Sequence, residues 1–159
     1  MQKRQKKFTN YLNKVMESQP HIENKTIINS TGEITFDNTE IIPGFEGEKV
    51  LMVTYTYKNT TDNPMGAFDA LLASGEFKQE NADSIVTLSM GIPDTDWELS
   101  NENYQDMYNT GSSEKLKSGE TKQYVDFIEL DNSNNPVTFK AEDQDTRTSL
   151  GSIKLDLNK

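Results

Sequence analysis

The sequence predicts an all-β fold, an antiparallel β-sandwich of about seven strands. Three observations support this prediction. The strongest run, residues 49–59, consists largely of β-branched and aromatic residues, which a pleated and half-buried strand prefers. Further short apolar runs recur at regular intervals, and turn-forming residues separate them. Helical periodicity is scarce outside the N-terminus, as is typical of a sandwich.

The run at residues 49–59 is predicted to be a central strand. Successive side chains of a strand point to opposite faces. One face is large and apolar, whereas the other becomes polar toward its C-terminal end; the two sets are Leu51, Val53, Tyr55 and Tyr57, and Val50, Met52, Thr54 and Thr56. We therefore expect one face to meet the main core. Turn chemistry in residues 59–64 ends the strand.

The remaining strands are predicted from shorter runs. Residues 66–77 are compatible with a helix or a strand; Gly75 and the position between two strands favour a strand. Residues 85–92 have alternating apolar positions and predict another strand. The other segments with strand character are 26–28, 33–37, 41–42, 124–130, 137–141 and 153–157.

Residues 93–113 form a long connection in this prediction, with a short helical turn around residues 102–108. Connections of this length are usually functional or disordered. Trp97, Tyr104 and Tyr108 lie within it and are the predicted binding residues, as an aromatic platform for a sugar or a peptide. The alternative is that these rings cap one end of the sandwich core.

The N-terminus differs in charge from the rest of the chain. Residues 1–25 hold six Lys or Arg and two Glu, although the whole chain has a net charge of −10. We predict a basic helix or tether over residues 1–25 and the sandwich domain over residues 26–159. Apolar residues at helical spacing in residues 1–20 are compatible with a membrane-surface helix, but a solvated tether, or a helix packed on its own domain or on a neighbouring molecule, is the favoured interpretation.

Composition excludes several classes of function. An acidic body repels the phosphate backbone, so we expect no nucleic-acid partner. The chain has no cysteine and one histidine, His21, which we place in a linker beside Pro20. Thiol chemistry is therefore excluded, and a triad or histidine metal site would depend on His21 alone. We expect a protein that is not an enzyme.

Acidic clusters are the only candidate metal sites. Asp94, Asp96 and Glu98 form one cluster of hard oxygen ligands that suit calcium, and a second comprises Glu142, Asp143 and Asp145. Neither has the glycine and terminal glutamate of a helix-loop-helix calcium loop, and solvated carboxylates are the alternative. No other cofactor is expected. Paired carboxylates could also serve glycoside hydrolysis, but a chain with 26 acidic residues always offers some pair.

Three stretches resemble a family of bacterial lipoproteins of unknown function, mostly Gram-positive, with an immunoglobulin-like β-sandwich domain. They are residues 50–64, with an apolar strand followed by Asn59-Thr60-Thr61-Asp62; residues 116–121, a turn in which Ser118 replaces the commoner proline; and residues 124–139, with a polar turn before Pro136-Val137. The resemblance covers roughly residues 30–157. It implies an immunoglobulin-like fold, an export signal and a lipid tether upstream of Met1, and no reaction.

These observations leave two main hypotheses for function. The first is an exported, membrane-anchored domain of the cell surface that binds a protein or a cell-envelope component. It contacts the membrane only through a tether upstream of the given sequence. The second is a secreted effector or inhibitor acting on a host or competitor protein. A carboxylate-based hydrolase is the weaker third. No apolar run is long enough to span a bilayer, and no signal-peptide architecture follows Met1.

Overall fold

The chain folds into two antiparallel sheets that pack face to face, as a computed structural model shows for residues 19–157. The strands that form the first sheet are, in spatial order, β1 (His21–Glu23), β2 (Thr26–Asn29), β3 (Gly32–Pro43), β4 (Lys49–Lys58) and β7 (Thr121–Glu129). The second sheet has the order β6 (Ile85–Thr87), β5 (Gly75–Glu80), β8 (Val137–Asp143) and β9 (Thr148–Leu155). The prediction of an all-β antiparallel sandwich is confirmed, with nine strands in the described residues rather than about seven.

The main core lies between the two sheets. The predicted inward face of β4 is correct: the four alternating residues from Leu51 to Tyr57 are all fully buried there. Three rings from both sheets meet at its centre. Phe139 lies 5.0 Å from Phe36 and 4.8 Å from Phe77, measured between ring centroids. Edge and tilted contacts of this kind add to the stabilisation from area burial alone.

A second, smaller core covers the outer face of the first sheet. Val50 and Met52 point to this face, and β7 contributes Val125 and Phe127. The residues that pack on them belong to two helices, α2 (Thr95–Ser100) and α3 (Glu102–Ser113), which we call the helical layer. The first sheet is therefore covered on both faces, whereas the helical layer leaves the outer face of the second sheet uncovered.

Residues 93–113 thus differ from the predicted long connection. Nearly all of this segment is helical, because each helix has apolar side chains that reach the sheet and α2 has a strong start. The carboxylate of Asp94 accepts hydrogen bonds from the backbone N–H groups of Asp96 and Trp97. A side-chain acceptor at this position satisfies donors that a helix start leaves unpaired.

Residues 66–77 form a helix and then a strand, so the prediction of one strand is wrong for its first part. Helix α1 (Ala67–Ser74) buries Ala67, Ala70, Leu71 and Ser74, which is one helical face. Gly75 ends it at φ +150°, where an added Cβ would lie 2.1 Å from the carbonyl oxygen of Lys140. The apolar residues of 67–74 are therefore spaced for a helix, and the chain changes to strand β5 at Gly75.

Residues 85–92 form a strand only over Ile85–Thr87, so the predicted eight-residue strand is too long. Beyond β6 the chain leaves the second sheet and lies along the edge of β7 in the first. Gly91 donates its N–H to the carbonyl of Phe127, and Glu129 donates to the carbonyl of Ser89. The segment 88–92 therefore crosses from one sheet to the other and covers part of an edge that would otherwise be free.

The N-terminal predictions fall largely outside the described residues. The helix or arm predicted for residues 1–20 lies there except for Gln19 and Pro20, and the domain boundary at residue 25 stays a prediction. His21 lies in strand β1 rather than in a linker, because its strand pairs with β2 in register with Ile28. No helix of residues 19–157 is long and apolar enough to cross a membrane.

Candidate functional site

The three predicted binding residues lie together in the helical layer. Trp97 stacks on Tyr104 with ring centroids 6.3 Å apart and planes 13° apart. Trp97 also meets the ring of Phe127 edge-on at 5.8 Å, and Tyr108 lies 5.0 Å from the same ring. The structure thus brings the three aromatics together, but around Phe127 of the second core. Trp97 and Tyr108 contact the sheet directly, whereas Tyr104 stacks on Trp97.

Only the outer part of this aromatic cluster is accessible. Tyr104 is 36% exposed and the neighbouring Leu99 is 68% exposed. Tyr108 is partly buried, and its hydroxyl donates to the sulfur of Met90 at 2.7 Å. Burial, and secondarily the charge of Asp126, raises the pKa of Tyr108. The accessible residues at this end are therefore Leu99 and Tyr104, while Trp97 and Tyr108 hold the helices on the sheet.

The carboxylates of Asp94, Asp96 and Glu98 are not arranged as a cation site. Asp94 is the N-cap of α2, and its side-chain oxygen already accepts from two backbone N–H groups. Asp96 and Glu98 lie in the first turn of the same short helix. Within residues 19–157, no three His, Cys, Asp or Glu side chains converge in a way that could hold a metal ion.

The second acidic cluster closes a loop. Asp143 is 1% exposed, and its carboxylate accepts hydrogen bonds from the N–H of Ser30 and from the N–H and hydroxyl of Thr146. Burial alone would raise the pKa of Asp143, but these hydrogen bonds outweigh it and hold that pKa below its usual range. Glu142 and Asp145 are exposed. Asp143 therefore joins the β2–β3 turn to the second sheet.

A groove on the uncovered face of the second sheet has a different chemistry. Its volume is about 410 Å³. Lys78, Lys140 and Lys154 line it, one lysine from each of β5, β8 and β9. We call it the lysine groove. Thr138 pairs with Lys78 on one side and with Lys154 on the other, which brings the three strands' side chains to one place.

Sequence reasoning missed the lysine groove because its residues are far apart in the chain. Lys78 lies 3.5 Å from a carboxylate oxygen of Glu76 and donates to the hydroxyl of Thr87 at 3.0 Å. Lys154 lies 3.7 Å from Asp156. Lys140 is exposed and makes no ion pair with the residues that the structure describes. Alternation along each strand was the one available signal, since it predicts that these lysines point outward.

The family described as "Domain of unknown function (DUF5067)" matches the chain over residues 12–143. No curated protein matches the sequence. The expectation of a family without an assigned function, taken from the three stretches of sequence, is therefore confirmed at that level.

Solved structures show the same fold. An NMR structure of a protein from Enterococcus faecalis is 19% identical, with a TM-score of 0.69 over 89% of this chain and 96% of its own. A "putative lipoprotein from Staphylococcus aureus subsp. aureus NCTC 8325" is 16% identical, with a TM-score of 0.72 over 88% and 97% of the two chains. A "putative lipoprotein (ycdA)" from Bacillus subtilis matches at 12% identity and a TM-score of 0.51, over 85% of this chain and 39% of its own.

Proposed function

The chain belongs to the DUF5067 family, and from that premise we propose that it is a non-catalytic, immunoglobulin-like binding domain held at the cell surface, with a protein as its partner. Two of its structural neighbours are described as "putative lipoproteins" of Gram-positive bacteria. That description supports a membrane anchor upstream of the given sequence as part of the proposal.

The distribution of exposed apolar side chains carries the proposal. Seven large hydrophobic side chains are exposed in the described residues, and six of them lie outside the lysine groove: Phe45, Leu72, Met90, Ile92, Leu99 and Tyr104. Some of them are neighbours: Phe45 donates its N–H to the carbonyl of Ile92, Leu72 and Met90 line one cavity, and Leu99 and Tyr104 line another hollow. Exposed apolar side chains that lie next to one another mark an interaction site more often than isolated ones do.

The charge of the same region indicates the chemistry of the partner. Between Lys78 and Lys115 the chain has eight Asp or Glu and no Lys or Arg. Exposed apolar groups with carboxylates around them are complementary to a surface that presents apolar and basic side chains. We therefore infer a protein partner with a basic contact surface.

The proposal is tested by sedimentation of the purified domain with intact Gram-positive cells, before and after the cells are treated with protease. We expect the wild type to pellet with untreated cells and to stay in solution with treated ones. Variants Ile92→Ser and Leu99→Ser should lose about fivefold or more in affinity, since truncating a residue that anchors an interface costs more than about 1 kcal/mol.

Ile85→Ser is the matched control, because Ile85 is 64% exposed but borders the lysine groove instead. Equal loss of binding in this variant, or undiminished binding to protease-treated cells, would show that the proposal is wrong. Thermal unfolding of all three variants should match the wild type, since each side chain is already exposed.

The lysine groove supports a second candidate, an anionic polymer of the cell envelope. Lys140 has no ion pair among the described residues, although the domain as a whole is acidic. Under this candidate, isolated cell wall binds the domain after protease treatment, and Lys140→Glu abolishes that binding. Lys115→Glu, an equally drastic change at a site outside the groove, should leave it intact. Binding that ignores both substitutions would exclude the groove.

A further inference from the structure

A cavity of about 240 Å³ opens between α1, β5 and the segment that crosses between the sheets. It differs from the lysine groove in position and in character. Most of its lining is apolar: Phe68, Leu71, Leu72, Phe77, Leu88, Met90 and Ile128. A cavity of this volume holds roughly eight water molecules at liquid density, so it can accept a small ligand or a single long side chain.

Asp126 of β7 is part of the cavity wall. It lies opposite Val53 in the first sheet and is only 5% exposed. One carboxylate oxygen accepts the N–H of Phe127 at 2.9 Å. No Lys, Arg or His among the described residues forms an ion pair with it. A carboxylate has about four acceptor positions, so most of the hydrogen-bonding capacity of Asp126 is unused by the fold.

An unpaired carboxylate in this place costs stability. Moving an ionised group out of water is unfavourable unless a cation or several donors replace the water. An isosteric apolar residue would fit the neighbouring side chains without that cost. Burial raises the pKa of Asp126 to about 7, with the Phe127 N–H opposing the rise. The ionised carboxylate of Asp126 would be stabilised by a positively charged neighbour, but no described residue forms an ion pair with it.

The mouth of the cavity is apolar and open. Leu72 is 61% exposed and Met90 is 58% exposed, and both line it. Glu76 also lines the cavity, but its carboxylate lies 3.5 Å from the ammonium group of Lys78. Asp126 is the other carboxylate that lines the cavity. Unlike Glu76 it is buried, and it forms no ion pair with a described residue. Apolar walls with one convergent polar group are typical of small-ligand sites.

We propose that this cavity binds an apolar ligand that carries one alkylammonium group, with Asp126 as its counter-ion. The hydrocarbon part lies against Phe77, Leu88 and Ile128, and the ammonium group donates hydrogen bonds to the free oxygen of Asp126. Charge-assisted hydrogen bonds in a site shielded from water are stronger than neutral ones. The inference does not depend on the partner surface, because the cavity can be tested with a free amine.

The experiment uses three probes of equal length, hexylamine, hexanol and hexanoate, in calorimetric titrations of the full chain. At about pH 8 Asp126 is ionised, and at about pH 5 it is protonated. We expect hexylamine to bind about tenfold more tightly than hexanol at the higher pH and to lose that advantage at the lower one. Hexanoate should bind more weakly than hexanol at the higher pH.

Among the described residues, the other ionisable groups near Asp126 are Tyr55, Tyr108 and Glu76. Tyr55 and Tyr108 face it from β4 and α3, and burial raises the pKa of both. Glu76 is exposed and paired with Lys78. Asp126→Asn should therefore make hexylamine and hexanol bind equally at both pH values.

If Asp126→Asn does not fold, a second pair of variants tests whether hexylamine binds in this cavity. Leu72→Lys places a competing cation at the cavity mouth and should abolish hexylamine binding. Ile85→Lys is the matched control, because Ile85 is similarly exposed but lies outside the cavity. Equal affinity of the wild type for hexylamine and hexanol at about pH 8, or no binding of any probe, would overturn the proposal.

Discussion

The side-chain amide of Asn59 donates a hydrogen bond to the backbone carbonyl of Leu116 at 2.9 Å, across 57 residues of chain. It also donates to the carbonyl of Asn63, and its oxygen accepts from the N–H and hydroxyl of Thr61. Asn59 is fully buried. Two of the stretches that resemble the lipoprotein family, residues 50–64 and 116–121, thus meet at one side chain, and their shared role is to hold two turns together.

Substitution of Asn59 should therefore affect stability. Asn59→Ala removes the side-chain hydrogen bonds that join the two turns and leaves the N–H of Thr61 without its acceptor, although the carbonyls of Leu116 and Asn63 keep other donors. We expect a loss of about 2–3 kcal/mol in the free energy of unfolding, measured by urea denaturation. Asn63→Ala is the control, because Asn63 is exposed and contributes only backbone groups to the turn. A loss in Asn63→Ala as large as in Asn59→Ala would contradict this account.

Phe127 is predicted to be the residue that holds the helical layer. Trp97 and Tyr108 both pack on its ring. Phe127→Ala should cost about 3–5 kcal/mol by thermal or urea unfolding. Tyr104→Ala should cost under about 1 kcal/mol, because Tyr104 is partly exposed and stacks on Trp97 rather than on Phe127. Similar costs for the two variants would mean that the aromatic cluster is not organised around Phe127.

Gly75→Ala should destabilise the fold by at least about 2 kcal/mol, because the new Cβ would collide with the backbone of β8 and φ there is unfavourable for alanine. Gly119→Ala is a suitable comparison. Gly119 also has a positive φ, +85°, but nothing lies within 4 Å of an added Cβ. We expect about 1–2 kcal/mol there, from the backbone alone. Equal losses would show that close packing at Gly75 does not matter.

Stability should fall as pH rises from about 4 to about 7, because of Asp126. Its folded-state pKa is about 7, above an ordinary value of 3.8, so the folded protein binds one more proton than the unfolded chain in that interval. The expected loss is about 4 kcal/mol, because each tenfold difference in proton affinity between the folded and unfolded states corresponds to about 1.36 kcal/mol. Asp143 does not oppose this, since its lowered pKa affects stability only at more acidic pH.

His21 contributes in the same direction near neutral pH. Its pKa is raised, first by the hydrogen bond to the carbonyl of Gln19 and then by Glu23, so its stabilisation is complete below 6.5 and is lost above. Denaturation of Asp126→Asn and His21→Gln across this range separates the two. Below pH 6.5 the slope should largely disappear in Asp126→Asn and persist in His21→Gln, whereas above pH 6.5 the contribution of His21 remains in Asp126→Asn. An unchanged slope below pH 6.5 in Asp126→Asn would refute the assignment.

The sequence predicted the parts of the fold that depend on alternation along one strand. The two faces of β4 are correct because period-2 patterning is a local property. The prediction failed where two patterns competed. Residues 67–74 combine small residues and leucines that suit helix or strand, and packing on the sandwich decided for the helix. Residues 85–92 alternate throughout, but nothing in that pattern indicates that the strand changes sheets after Thr87.

The site residues were predictable only in part. Trp97, Tyr104 and Tyr108 are near one another in sequence, so their proximity could be inferred, but Phe127 joins them from a strand that is distant in the chain. The same limit applies to the lysine groove, which strand register brings together, and to Asp126. Alternation along β7 puts Asp126 on the same face as two apolar residues, Tyr124 and Ile128, and this conflict was the available signal.

The order of strands in the first sheet means that the two edges of that sheet should differ in how they respond to a pulling force. β1 has only three residues and lies at the edge opposite β7. If the proposed tether pulls on the N-terminus, the β1–β2 hydrogen bonds are loaded one after another, which is the weakest way to resist force. Four strand spacings of about 4.8 Å separate β1 from β7. Tension would therefore peel the anchored edge first, while the β7 edge, the helical layer and any bound partner stay folded.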